Sequence, residues 1–354
     1  MLKQRQELLE TALNSGVWGT IGPKSVSAAE IIARRVSGKY GVLMHSAAAA
    51  LEIQLRALEI SYGDEVIVAS YADPMDAMTV ATVGATPIFA DIDPSDATLS
   101  ASSVKTKLTN KTKAVVADVP GGNPCDVEAL ENMCKEKGIK LIINLGDGYN
   151  STLDEKPLSQ YAWGTIINFA EGYALSAGEG GAVVHNDPAA NAVCYAYHDC
   201  GRARGEGATL IVDNILGGNM RITEWQAVII ETGVNELDKI LDIRKAKAKT
   251  ILESVKYEWL TPLSVINKGV SSYNSLIFRY NKDKNNGLPV NTAVEKLCSL
   301  GYNACRPWKA MHRQPAFSSP YFQKITGYKD KYSDNGLANS IAAEEELIWI
   351  RATC

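Results

Sequence analysis

The stretch GDEVIVASYADPMDAMTVATVGATPIFADID, residues 63–93, decides the fold. Its apolar, β-branched runs predict strands over residues 66–70 and 86–92, and the apolar spacing between them predicts a helix over residues 75–83. Neither strand alternates polar with apolar side chains, which is typical of strands that are covered on both faces. A strand, a helix and a second strand in this order predict parallel strands joined by a helical crossover.

The same alternation of strands and helices continues outside this stretch. Val/Ile-rich runs predict the strands, and apolar residues at helical spacing predict the helices between them. The further predicted elements are strands over residues 113–119, 139–145, 165–169 and 181–186, and helices over residues 48–58, 127–137 and 191–197.

The chain divides into two domains after one long helix. Residues 224–256 predict this helix, and Pro262 and Gly269 then mark a boundary. We expect an N-terminal helix and a large α/β domain over residues 1–258, with a mostly parallel central sheet flanked by helices. A smaller α+β domain is expected over residues 259–354.

The composition excludes several classes of function. The chain has 354 residues, 46% hydrophobic and 21% charged, with a formal net charge of −4. This charge gives no electrostatic basis for binding nucleic acid or an anionic membrane. No apolar run reaches the roughly 20 residues of a membrane span, and residues 1–16 are charged and amphipathic, so we expect a cytoplasmic protein. The seven cysteines form no CxxC pair, so no disulfide framework or zinc site is predicted.

Eight ordered segments carry motifs of one known family: residues 39–51, 63–68, 83–93, 122–126, 178–183, 201–205, 219–227 and 306–315. Together they resemble the DegT/DnrJ/StrS sugar-aminotransferase family over nearly the whole chain. The last segment is similar to the C-terminal motif of members that aminate nucleotide-linked sugars. The resemblance implies the fold type I architecture of enzymes that use pyridoxal phosphate (PLP).

Two residues depart from the family at the cofactor itself. Family members carry a lysine five residues before the Gly-Glu-Gly-Gly run, and this lysine forms an imine with PLP; the position is Tyr173 here. A phenol cannot form an imine. The family aspartate that pairs with the pyridinium nitrogen corresponds to Asn144, and a neutral amide cannot hold that nitrogen protonated as a carboxylate does.

Four further cofactor positions differ, at Ala48, Asp73, Asp147 and Asn168. Asn219, which in the family reaches the cofactor phosphate of a neighbouring subunit, is retained. Six changes in one pocket predict that PLP has been lost and that no cofactor is used; PLP or a divalent metal are the alternatives. No tight ligand spacing is present, so no metal site is predicted.

The polar residues of this former PLP pocket predict chemistry at the carboxyl ends of the strands. Asp147 and Asp73 are the candidate acid and base, because two carboxylates in one enclosed site push their pKa values apart. Tyr173 and His45 are further catalytic candidates. The structural alternatives are a helix cap for Asp73, a core position for His45 and a space-filling role for Tyr173. The candidate substrate-binding residues are Asn144, Asn168, Asn219, Arg306 and His312.

Three hypotheses about function stay open. The first is a PLP-independent enzyme or ligand-binding protein of amino-sugar, aminocyclitol or secondary-metabolite biosynthesis, with elimination, isomerisation or ring closure favoured over amino transfer. The second is a noncatalytic subunit that pairs with an active homologue, and the third is a conventional PLP-dependent sugar aminotransferase. In each, the ligand is a small polar metabolite, sugar- or nucleotide-linked, and the chain forms a homodimer or a heterodimer with a homologue.

Overall fold

The computed structural model describes residues 2–19, 22–146, 148–202 and 215–352. The helices are α1 (Leu2–Asn14), α2 (Pro23–Arg35), α3 (Ala47–Ala57), α4 (Pro74–Thr82), α5 (Ala101–Lys107), α6 (Val127–Lys137), α7 (Pro188–His198), α8 (Glu224–Ser254), α9 (Val290–Ser299), α10 (Pro320–Thr326) and α11 (Ala338–Glu346). The strands are β1 (Tyr40–Met44), β2 (Glu65–Ala69), β3 (Thr86–Ala90), β4 (Thr112–Asp118), β5 (Lys140–Gly146), β6 (Thr152–Leu153), β7 (Lys156–Pro157), β8 (Gly164–Asn168), β9 (Gly181–His185), β10 (Leu260–Pro262), β11 (Gly269–Val270), β12 (Ser275–Tyr280), β13 (Ala304–Cys305) and β14 (Leu347–Arg351).

The central sheet has the strand order β1-β9-β8-β5-β4-β2-β3. Strands β8, β5, β4, β2 and β3 pair in parallel, as the sequence predicted. Strand β9 differs, because it runs antiparallel to both of its neighbours. The chain returns from β8 to β9 through residues 169–180 without a crossover helix, which reverses its direction. An apolar run alone gives no strand direction, so the sequence could not predict this reversal.

Helices cover both faces of this sheet, and neighbouring residues of its strands point into different layers. In β5, Ile143 packs in the same apolar cluster as Ile167 of β8, whereas Ile142 and Ile166 pack in the cluster on the other face. All four side chains are fully buried. Burial on both faces explains why these strands are continuous apolar runs.

The C-terminal part of the chain forms a second, antiparallel sheet in the order β10-β12-β14-β13. Its own apolar cluster contains Phe278, Leu297 and Ile350, each fully buried. The separate core supports a domain boundary near residue 259, which stays a prediction. None of the helices in the described part of the chain is long and apolar enough to cross a membrane.

Candidate active site

A cavity of about 260 Å³ lies at the carboxyl ends of the parallel strands, between the large and small sheets. Its walls include Asp118 at the end of β4, Asn144 near the end of β5, and Asp73 just before α4. Open α/β sheets bind ligands at this edge. The residues that the structure brings together here are therefore candidates for binding and catalysis.

Glycines let the small sheet approach the site closely. Gly122 follows β4 with a φ of +95°, and a Cβ atom there would lie 2.4 Å from Oγ of Ser272. At Gly121, where φ is +62°, a Cβ atom would lie 2.7 Å from the carbonyl oxygen of Ser275 at the start of β12. A side chain at Gly121 would therefore displace β12, and one at Gly122 would displace the segment that precedes β12.

Asp73 has a structural role as well as a place in the cavity wall. Its Oδ1 accepts a hydrogen bond of 2.9 Å from the backbone N–H of Met75, so it caps the N-terminus of α4. Burial raises the pKa of Asp73, although the bond from Met75 opposes the increase. The helix-cap alternative thus describes its local geometry, and a catalytic role stays a prediction.

Asp76 and Asp118 form a buried pair of carboxyl groups next to Asp73. Oδ2 of Asp118 accepts a hydrogen bond of 3.0 Å from the backbone N–H of Asp73, and the carboxyl groups of Asp76 and Asp118 are hydrogen-bonded to each other. Burial, reinforced by the charge of Asp118, raises the pKa of Asp76 well above its usual value. Burial also raises the pKa of Asp118, to about 6. The pair therefore shares one proton near neutral pH.

Sequence reasoning did not select Asp118 or Asp76 as members of an acid–base pair. Asp118 ends a buried strand in the same way that Asn144 ends its neighbour, and that pattern was available in the sequence. Asp76 lies in the first turn of α4, where an acidic residue is expected for reasons of helix stability alone. Only the packing of α4 against the central sheet brings the two together.

Tyr173 lies in the cavity wall close to Asn144. A Cβ atom built on Gly146 would lie 3.8 Å from Cε1 of Tyr173 and 4.0 Å from Oδ1 of Asn144. Trp308 and Trp349 form an aromatic wall, with ring centroids 4.6 Å apart. The lining residues that the structure describes include no lysine.

Other predicted site residues lie outside this cavity wall. The side chain of His45 is exposed, Ala48 lies in the first turn of α3, and Oδ1 of Asn168 accepts a hydrogen bond of 2.9 Å from the backbone N–H of Ala170. Asn219 pairs with Asp199 in an isolated β-bridge. Asp147 lies outside the described residues. The functional roles of these five residues stay predictions.

Arg306 and His312, the candidates from the C-terminal motif, lie outside the cavity wall and form hydrogen bonds with other residues of the chain. Arg306 donates hydrogen bonds to Oδ1 of Asn291, at 2.7 Å, and to the carbonyl oxygen of Glu344. Nδ1 of His312 lies 2.6 Å from Oγ of Ser70, and its Nε2 lies 3.0 Å from Oδ1 of Asp334. Burial lowers the pKa of His312. Within the described residues, no group of three His, Cys, Asp or Glu side chains is arranged to hold a metal ion.

Several curated proteins similar to this chain are named as aminotransferases. The L-glutamine:2-deoxy-scyllo-inosose aminotransferase of Streptoalloteichus tenebrarius is 25% identical over 324 residues, which cover 86% of this chain and 76% of that protein. The spore coat polysaccharide biosynthesis protein SpsC of Bacillus subtilis is 26% identical over 348 residues, covering 94% and 86%. The GDP-perosamine synthase of Vibrio cholerae is 30% identical over 209 residues, but the match spans only 59% of this chain and 55% of that protein.

Solved structures share the fold. A 3-amino-5-hydroxybenzoic acid synthase superposes with a TM-score of 0.87 at 21% identity, covering 98% of this chain and 90% of that one. The GDP-4-keto-6-deoxy-D-mannose-3-dehydratase of E. coli, described with bound hydrated PLP, superposes with a TM-score of 0.84 at 19% identity, covering 99% and 92%. The prediction of fold type I, with a mixed but mostly parallel sheet, is confirmed.

The prediction that the chain has lost its cofactor is wrong, because the chain matches an aminotransferase family and a solved neighbour holds PLP. A cofactor-free reaction is therefore not retained. The residues present fit PLP only in part. Asn144 supplies an acceptor in the cavity wall, but the described lining residues include no lysine, and the phenol of Tyr173 cannot form an imine.

The family assignment rests on almost the whole sequence. The sequence profile of DegT/DnrJ/EryC1/StrS aminotransferases matches residues 1–342, so it includes every strand of the central sheet and the described residues of the cavity wall except Trp349 and Arg351. The chain belongs to the DegT/DnrJ/EryC1/StrS aminotransferase family.

Proposed function

We propose that the chain is an enzyme of sugar or aminocyclitol metabolism that takes part in amino-group transfer. The observation that carries this proposal is the convergence of Asp73, Asp118 and Asn144 on one cavity. Carboxylate and amide oxygens accept hydrogen bonds from the hydroxyl and amino groups of a polyhydroxylated ring. Trp308 and Trp349 add an apolar wall for the carbon skeleton of such a ring.

PLP is then bound without a covalent bond to the chain. Tyr173 occupies the position of the imine-forming lysine, and its hydroxyl group can only exchange hydrogen bonds. Asn144 occupies the position that meets the ring nitrogen in the family. This form of binding is compatible with the family's cofactor and with the residues around the cavity.

The substrate is a keto sugar or a keto cyclitol of the kinds named for the relatives. One relative is named for 2-deoxy-scyllo-inosose and another for a GDP-linked sugar. Negative charge dominates the described cavity wall, where Asp73, Asp118 and Glu171 outnumber Arg351. This charge disfavours a diphosphate close to the carboxyl pair and favours the free cyclitol.

A second candidate is a noncatalytic subunit that pairs with an active homologue. The absence of a lysine in the described cavity wall favours it, because a partner chain would then supply the complete site. Either assembly needs an interface. Exposed apolar side chains at Leu13, Val17, Trp18 and Trp225 surround the start of α8 and support a dimer. A cytoplasmic location stays a prediction.

An amino-transfer assay tests the main proposal. The purified protein is incubated with PLP, L-glutamine and either 2-deoxy-scyllo-inosose or GDP-4-keto-6-deoxy-D-mannose, and the aminated product is measured by mass spectrometry. We expect product from the cyclitol, reduced at least tenfold in Asn144→Leu. Asn281→Leu, directly after β12 and outside the cavity wall, is the matched control and should leave the yield of product unchanged. Failure with both ketones, together with co-purification of a lysine-bearing homologue, would replace this proposal with the second candidate.

A further inference from the structure

The side chain of Asn144 has a defined orientation. Its amide nitrogen donates a hydrogen bond of 3.1 Å to Oδ1 of Asp76, and both side chains are buried, with 7% and 2% of their surface exposed. Its carbonyl oxygen lies on the other side, towards Gly146 and Tyr173, which both line the cavity. An amide held in this way presents only an acceptor to a ligand.

The orientation of the Asn144 amide depends on whether Asp76 has an oxygen free to accept a hydrogen bond from it. The carboxyl groups of Asp76 and Asp118 are hydrogen-bonded to each other, so one of them must supply the proton. Asp118 already accepts the backbone N–H of Asp73 through Oδ2, which favours its charged form. The proton is therefore on Asp76, whose remaining oxygen accepts the amide hydrogen of Asn144.

This arrangement gives the hydrogen bonds a single direction. Asn144 donates to Asp76 and is also hydrogen-bonded to Asp118, Asp76 donates to Asp118, and Asp118 accepts from the backbone of Asp73. Burial raises the pKa of both carboxyl groups, which favours a proton held by the pair. Reversing the amide of Asn144 would place its oxygen against an oxygen of Asp76 and leave both without a hydrogen.

We propose that Asp76 is a positioning residue, which holds Asn144 so that its carbonyl oxygen faces the cavity and accepts a hydrogen bond from the bound ligand. The ligand then carries a hydroxyl, an ammonium or a protonated ring nitrogen at this point, and a ligand with only an acceptor there is rejected. The proposal deepens the proposed function, because it takes the cavity to be the ligand site. Asp76 itself does not reach the ligand.

Three variants separate positioning from simple stability. In Asp76→Asn, the new amide reproduces the protonated carboxyl: its nitrogen donates to Asp118 and its oxygen accepts from Asn144. Asp76→Leu has a similar size and neither group, so Asn144 loses its hydrogen bond to Asp76 and keeps only the one to Asp118, which fixes its orientation less firmly. Asn144→Leu removes the acceptor. The probe is pyridoxamine 5′-phosphate, which carries no aldehyde and so measures noncovalent binding alone.

We expect Asp76→Asn to bind this probe within twofold of the unaltered protein, and Asp76→Leu and Asn144→Leu to bind it at least tenfold more weakly while retaining the native circular dichroism spectrum. Equal loss of affinity in Asp76→Asn and Asp76→Leu would overturn the proposal. So would unchanged affinity in Asp76→Leu.

A measurement without any ligand decides the case if a variant fails to fold or the probe does not bind. The infrared difference spectrum between the unaltered protein and Asp76→Asn at pH 7 should contain the C=O stretching band of one neutral carboxyl group. Its absence would overturn the assignment of the proton and with it the orientation of Asn144. Failure of probe binding with the band present would count against the proposed function alone.

Discussion

Nε1 of Trp349 donates a hydrogen bond of 3.1 Å to the phenolic oxygen of Tyr71, and this bond joins the last strand of the small sheet to the segment after β2. Both side chains are buried. Trp308 packs edge to face on each of them, with centroid distances of 5.7 Å to Tyr71 and 4.6 Å to Trp349. The three rings hold the aromatic wall of the cavity in place. Tyr71 precedes Asp73 by two residues in the sequence, so the same contacts hold the segment that carries Asp73.

Tyr71→Phe should destabilise the protein. The change leaves the indole N–H of Trp349 buried without an acceptor, which costs about 1–3 kcal/mol. Urea unfolding followed by tryptophan fluorescence measures the loss. Tyr321→Phe is the control, because Tyr321 is 71% exposed and should change the free energy of unfolding by less than about 0.5 kcal/mol. Equal effects of the two substitutions would contradict the role given to this hydrogen bond.

The ionisation of Asp118 should reduce stability as pH rises. Burial raises the pKa of Asp118 to about 6, whereas the unfolded chain releases this proton near pH 4. Between these values the folded protein binds the extra proton, so its free energy of unfolding falls with increasing pH, by up to about 3 kcal/mol from this group.

Urea unfolding at pH 4, 5, 6 and 7 checks this pH dependence. The difference in unfolding free energy between the unaltered protein and Asp118→Asn reports the titration of the Asp76–Asp118 pair, because the carboxyl groups outside this pair titrate in both. The difference should move in favour of the variant as pH rises through 6. A difference that is constant with pH, or moves the other way, would show that Asp118 is not buried as described.

Glu224 should stabilise the start of α2 from a distant part of the chain. Its carboxylate accepts hydrogen bonds from the backbone N–H groups of Lys24, at 2.9 Å, and Ser25, at 2.8 Å. Glu224→Gln replaces one acceptor with an NH₂ group that faces a donor, and it removes the charge at the helix N-terminus, at a cost of about 2 kcal/mol. Glu30→Gln is the control, since Glu30 makes only an exposed pair with Arg34 at 3.8 Å. Thermal unfolding should show a clear decrease in Tm for Glu224→Gln alone.

Local patterns predicted the elements of the large domain well. The strands and helix of residues 63–93 are present as β2, α4 and β3, because burial on both faces and helical spacing are encoded locally. The antiparallel direction of β9 was not predictable, since it depends on the path of residues 169–180. Asp73 was correctly considered as a helix cap, because an Asp-Pro pair is a local signal.

The site was harder to predict because its members meet only through tertiary packing. Asp76 and Asp118 are far apart in sequence, and no local sequence pattern around either residue predicts that they share a proton. His312 was considered for substrate contact, but its partners Ser70 and Asp334 come from other parts of the chain. The family resemblance located the cavity, whereas inferring loss of the cofactor from changed residues led to the wrong expectation.

We propose that this member of an aminotransferase family binds PLP without an imine, because Tyr173 lines the cavity and the described cavity wall contains no lysine. The protein is mixed with PLP, reduced with borohydride and denatured, and the mass of the chain is measured, with the GDP-perosamine synthase of Vibrio cholerae treated in the same way for comparison. Equilibrium dialysis before reduction measures total binding. We predict stoichiometric binding by dialysis and an unmodified chain after reduction. A chain that retains one cofactor per molecule after denaturation, attached to a single lysine, would show that PLP is bound through an imine and would contradict the proposal.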